Sequence, residues 1–104
     1  MKQHSEQQQK ILKAAADSLY AAFLTLEKPD EVRQFLVDLC TPSELEAMVD
    51  RWWTVSLLTE GRSYRDISDL TGVSVTTIGR VARFMNTGEG GYSMALRRQK
   101  RGKA

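Results

Sequence analysis

Apolar residues recur along most of the chain at three- and four-residue steps, and no useful stretch alternates with the period of two that a strand needs. Leu12, Ala15, Ala16, Leu19, Phe23 and Leu26 make one stripe, which predicts an amphipathic helix over 7–26. Pro29 suits the first turn of a second helix, Asp30 and Glu31 suit its positive end, and Val32, Phe35, Leu36 and Leu39 form its stripe. In the segment CTPSE, Thr41 can cap, Pro42 fits the first helical position and Glu44 fits a capping box. The third helix should run to about Glu60, where Gly61 supplies a left-handed end. Its apolar set is broad, because Trp52 and Trp53 point about 100° apart and cannot share a narrow face. Such a helix needs more than one neighbour, and a second subunit can supply it.

The remaining elements are shorter. Ser63 starts a fourth helix, with Asp66 as its capping partner, that ends at Gly72; Ser74 caps a fifth, about 75–85. The glycines of NTGEGGY break the pattern, and a last helix over about 92–99 turns Met94 and Ala95 or Leu96 inward. Within 63–81 the apolar positions are Ile67, Leu70, Val73, Ile78 and Val81. Two short helices crossing steeply need a tight turn, often with a glycine; Gly72 sits there, Val73 plugs the corner and Ser68 is small where the helices approach. This is the layout of a helix-turn-helix, spanning 63–85; the plainer alternative is a helical hairpin with a glycine turn. In that motif the second helix leads into the major groove with its first residues, here Val75, Thr76, Thr77, Gly79 and Arg80. Threonine can meet thymine methyls, bases or phosphates, and arginine can grip guanine or phosphate. Gly79 costs on the order of 1 kcal/mol of helix stability, which a close approach to DNA would explain. Arg65, Arg83, Arg97 and Arg98 are candidate phosphate contacts.

Charge sharpens this picture. Residues 1–61 hold six Lys/Arg against ten Asp/Glu, and residues 62–104 hold nine against three. A basic second half suits a polyanion, or equally a solvated surface. The 104 residues suffice for one all-helical domain, with 97–104 a basic flexible tail that either binds DNA or is simply solvated. One cysteine excludes an internal disulfide, no apolar run approaches the roughly 20 residues of a membrane span, and the start lacks a signal peptide's apolar centre. A soluble, cytoplasmic chain is expected.

Catalysis is not expected. His4 is the lone histidine, Cys40 reads as a small packing residue at a helix end, and no histidine–cysteine cluster can hold zinc. The glycines of TGEGG follow no strand and so make a poor phosphate loop. Met48, Met85 and Met94 read as packing residues, while Tyr64 and Tyr92 suit either phosphate contact or packing.

From Thr41 onward, TPSELEAM, then Arg51, then LLTEGRSYRDISDLTGVSVTTIGR resemble the Trp repressor family, and RFMNTGEGGYSMAL resembles its YerC/YecD subgroup. The resemblance implies a six-helix, all-α fold and an intertwined homodimer. Its first three helices and the last interlock between subunits, and helices four and five read DNA. It implies contacts to double-stranded DNA at Tyr64, Arg65, Ser68, Val75, Thr76, Thr77, Gly79 and Arg80. It also places Thr41, Arg51 and Arg80 around the family's corepressor. Val81 and Phe84 stand where the tryptophan-sensing protein has glycine and serine, which disfavours tryptophan and leaves any other corepressor undefined. No cofactor or metal is expected. The expected function is a sequence-specific, homodimeric transcriptional regulator, taken as a repressor; the alternative is an adaptor that docks its helix-turn-helix on a protein.

Overall fold

The computed structural model describes residues 5–102. Among them lie six helices and no strand: α1 (Glu6–Phe23), α2 (Pro29–Leu39), α3 (Pro42–Thr59), α4 (Tyr64–Thr71), α5 (Val75–Thr87) and α6 (Gly91–Gly102). They group into two compact units, one ending at Thr41 and the other beginning at Pro42.

In the first unit, Ser5 caps α1 through a reciprocal box. Its hydroxyl accepts from the Gln8 amide at 3.2 Å, and the Gln8 side chain accepts from the Ser5 amide at 2.8 Å. The helix stops at Phe23, three residues before the expected Leu26. The amides of Leu24, Thr25 and Leu26 turn to carbonyls three residues back, and the Thr25 hydroxyl takes the Ala22 carbonyl at 2.7 Å, so the last turn tightens. Helix α2 begins at Pro29 as expected. Donors from Arg33 and then Gln34 hold the exposed Asp30 carboxyl below its ordinary range. The rings of Phe23 and Phe35 meet edge-on at 5.1 Å. No residue of α1 or α2 is buried: Leu12 and Leu39, expected to face inward, are exposed, and so is Ile11.

The second unit holds the core. Helices α3, α4 and α5 pack on one another around Leu57, Ile67, Val73 and Ile78, with Leu58 against the cluster and Val55 and Val81 also buried. Each such side chain contributes about 1.5–3 kcal/mol when fully buried. The buried Thr54 hydroxyl donates to the Asp50 carbonyl at 2.8 Å, so it brings no unpaired polar group inside. Helix α3 ends with the Arg62 amide on the Leu57 carbonyl and the Gly61 amide on that of Leu58, Gly61 being left-handed at φ +84°. Trp52 and Trp53 divide as their angular separation requires. Trp52 is half-buried with its ring 6.3 Å from that of Tyr92, and Trp53 is exposed.

Ser63 caps α4 by accepting from the Asp66 amide at 3.1 Å. Leu70 does not face inward: it is 50% exposed, because it lies about 60° round this short helix from the fully buried Ile67. The corner is held twice. Gly72, at φ +78°, bonds its amide to the Ser68 carbonyl at 2.9 Å. The Thr71 hydroxyl donates to the Ile67 carbonyl at 2.7 Å and accepts from the Val73 amide at 3.0 Å.

Helix α5 runs two residues past the expected Met85. Asn86 and Thr87 bond back to the Ala82 and Arg83 carbonyls at 3.2 and 3.0 Å. It stops at Gly88, where a Cβ would sit 2.5 Å from the Phe84 carbonyl oxygen. Helix α6 continues to Gly102, so most of the expected flexible tail is helical; arginine, glutamine and lysine are good helix formers. Residues 103–104 lie outside the described residues. Of the expected inward positions on α6, Leu96 is half-buried, whereas Met94 and Ala95 are exposed.

Two glycine substitutions should therefore fail for different reasons. Gly72→Val meets nothing within 4 Å, so its cost is the left-handed backbone, at least about 1–2 kcal/mol. Gly88→Ala has an ordinary φ and collides with backbone, at about 1–3 kcal/mol. Urea unfolding should show both losses, with Gly72→Asn milder than Gly72→Val; parental stability in either Gly72→Val or Gly88→Ala contradicts the corresponding reason.

Candidate nucleic-acid interface

Helix α5 has two unlike faces. Ile78 and Val81 are buried and Met85 half-buried on one side. On the other, Thr76, Arg80, Arg83 and Thr87 follow at four-, three- and four-residue steps, and all four are exposed. The core and the turn thus orient α5 so that its outer stripe carries two guanidinium groups and two hydroxyls. At the first turn of α4, Tyr64 and Arg65 are exposed, and Ser68 is half-buried. Among the described residues Arg65, Arg80 and Arg83 form no ion pair. Asp66 and Asp69 share α4 with Arg65, so of these two helices α5 carries the net positive charge.

Three further expected contacts are placed differently from one another. Val75 is exposed at the leading end of α5. Thr77 is half-buried in the cap: its amide donates to the Ser74 hydroxyl at 3.1 Å, and that hydroxyl donates to Thr77 Oγ1 at 3.0 Å. Gly79 is half-buried against α4, where a Cβ would lie 3.9 Å from the Tyr64 ring. That is ordinary contact, so the glycine is not demanded by packing inside the unit.

Arg51, Arg80, Val81, Phe84 and Tyr92 line a cleft of about 280 Å³. The structure therefore brings together two of the three expected effector-site residues; Thr41 ends the other unit. Two guanidiniums at one cleft can hold a carboxylate or phosphate. Val81 is buried and Phe84, 53% exposed, forms part of the wall. A second cleft of about 380 Å³ lies against Phe84 and Tyr92, with Gly88, Glu89 and Gly91. Tyr92 is the residue whose place was least legible. Its ring serves packing against Trp52 and also lines both clefts, and only its four-residue spacing from Leu96 hinted at the inward face.

Cys40 is a half-buried free thiol. Among the described residues, no group of three His, Cys, Asp or Glu could hold a metal ion, and no helix is long and apolar enough to cross a membrane.

Comparison with known proteins agrees with this architecture. Residues 14–100 match the family described as Trp repressor protein. The uncharacterized protein YerC of Bacillus subtilis is 39% identical over 84 residues, which cover 81% of each chain. The crystal structure of a TrpR-like protein from Eubacterium eligens superposes with a TM-score of 0.79 at 37% identity, covering 84% of this chain and 90% of that one. A provisionally assigned Trp repressor from Staphylococcus aureus gives a TM-score of 0.80 at 38% identity over 92% of this chain and 96% of its own. With the matched region spanning both the helical framework and the helix-turn-helix, the chain belongs to the Trp repressor family, in its YerC-like branch.

Proposed function

We propose that this protein is a sequence-specific DNA-binding regulator that acts as a homodimeric repressor, occupying an operator through α4 and α5. The observation that carries this reading is the exposed stripe of Thr76, Arg80, Arg83 and Thr87, opposite the buried face of a helix fixed by the Gly72 turn. Arg80 and Thr76 read base edges, with Val75 beside them; Tyr64, Arg65, Ser68 and Arg83 hold the backbone. Thr77 orders the leading end of α5 through its cap, and Gly79 lets that end lie close to the duplex.

Two subunits place two such heads on successive turns of one DNA face. The open apolar residues of α1 and α2 support self-association, Ile11 being 63% and Val37 50% exposed. Repression follows from occupancy, since a duplex covered by the dimer is closed to other proteins. Tryptophan is not the effector on this reading, because Val81 and Phe84 stand in the cleft that Arg51 and Arg80 share.

Sedimentation should give a species of twice the chain mass. A duplex recovered from genomic fragments should bind with an affinity that falls steeply with salt, its log–log slope steeper by about 0.9 per phosphate contacted. Arg80→Ala should weaken that complex roughly tenfold to a hundredfold while helical content stays parental, because Arg80 is exposed and unpaired. Added tryptophan should leave the parental affinity unchanged. Parental affinity in Arg80→Ala would count against the reading role, and a protein that binds no duplex at moderate salt would count against DNA recognition altogether.

A further inference from the structure

Helix α6 carries more positive charge than its packing uses. Trp52 meets Tyr92, and Ser56, Thr59 and Glu60 of α3 share a cleft of about 410 Å³ with Leu96, Gln99 and Lys100 of α6. The matched positions advance together along both helices, so α6 runs parallel to α3 and their carboxyl ends lie at the same end of the unit. That end leads through Gly61–Ser63 directly into Tyr64 and Arg65, and the Tyr64 ring lies beside Gly79 of α5.

Arg97, Arg98 and Arg101 fall within about 100° of arc on α6, turned away from the stripe of Tyr92 and Leu96. All three are exposed, and none forms an ion pair among the described residues. Glu60, which lines that cleft with Lys100, is bonded to Arg62 at 3.1 Å. Complementing the negative helix end accounts for Arg101 and Lys100 in the last turn but not for Arg97 and Arg98. Arg97 and Arg101 are moreover a like-charged pair four residues apart, which disfavours the helix unless an anion lies across them.

We propose that Arg97, Arg98 and Arg101 form a second, sequence-independent phosphate-binding surface, which grips the duplex backbone flanking the stretch that α5 reads. The proposal rests on DNA recognition by α4 and α5 and adds a partner surface outside them. The guanidinium face neutralises phosphates and releases counterions, so it contributes affinity and salt dependence without discriminating bases. Arg80 and the α6 arginines thus divide the work, one setting the ratio between a site and other sequences, the others setting affinity for both.

The test uses the full chain and two duplexes: one recovered by the parental protein from genomic fragments and a scrambled version of it. The triple variant R97Q/R98Q/R101Q, which keeps good helix formers, should bind both duplexes on the order of tenfold more weakly, with the site-to-scrambled ratio retained. Its log–log salt slope should be shallower by roughly 2–3. The charge-keeping R97K/R98K/R101K should stay close to the parent. A second measurement needs no variant: trimming the flanks from the recovered duplex should cost the parent about tenfold in affinity, by loss of the same phosphate contacts. An unchanged slope in the glutamine variant, loss of the ratio instead of the affinity, or equal parental affinity for long and trimmed duplexes overturns the proposal. So does an effect of the substitutions on phosphatidylglycerol vesicles with none on duplex. A parent that binds neither duplex overturns the DNA-reading role itself, and this surface with it.

Discussion

The structure depends on one small buried contact: Leu57, Ile67, Val73 and Ile78 closing on each other across α3, α4 and α5. Three apolar side chains from three helices, and Val73 from the turn between two of them, settle how α5 is rotated about its own axis, and that rotation decides which of its residues meet solvent. The left-handed turn at Gly72 makes the contact possible, because it lets two helices of eight and thirteen residues double back while Val73 fills the angle. The Thr71 hydroxyl satisfies backbone groups on both sides of that turn. Shift the rotation by one residue and the stripe of Thr76, Arg80, Arg83 and Thr87 moves about 100° toward the core.

The two units differ in kind. The second unit, from Pro42, holds its own core and shows a polar, basic outer face on α5. The first unit has amphipathic helices with nothing buried. On the proposed reading, the first unit joins subunits and the second meets the duplex. Membership of the Trp repressor family gives this division its context, and Val81 and Phe84 line the cleft beside Arg51 and Arg80.

Features decided by neighbours in the chain were legible from the residues alone. Pro29 and Pro42 begin helices, Ser63 and Ser74 cap them, and Gly61 and Gly72 end them, because capping chemistry and left-handed backbone are local matters. Features decided across space were not. Leu70 matches the apolar period but falls outside the small core, and the hydroxyl of Thr77 turns to Ser74 rather than standing free. The extent of α6 was hidden because a run of arginine and lysine reads equally as a solvated tail or a basic helix. The end of α1 moved inward because Thr25 offers its own hydroxyl to a carbonyl that a further helical turn would have used.

The central claim is that the outer stripe of α5 meets a duplex while its inner face holds the unit together. Amide chemical-shift mapping during titration with a bound duplex tests it most directly. The account predicts the largest shifts at Thr76, Arg80 and Arg83 and at Tyr64 and Arg65, with Ile67 and Ile78 nearly unmoved. Shifts confined to α1 and α2, or shifts centred on the buried cluster with the outer stripe silent, would contradict it.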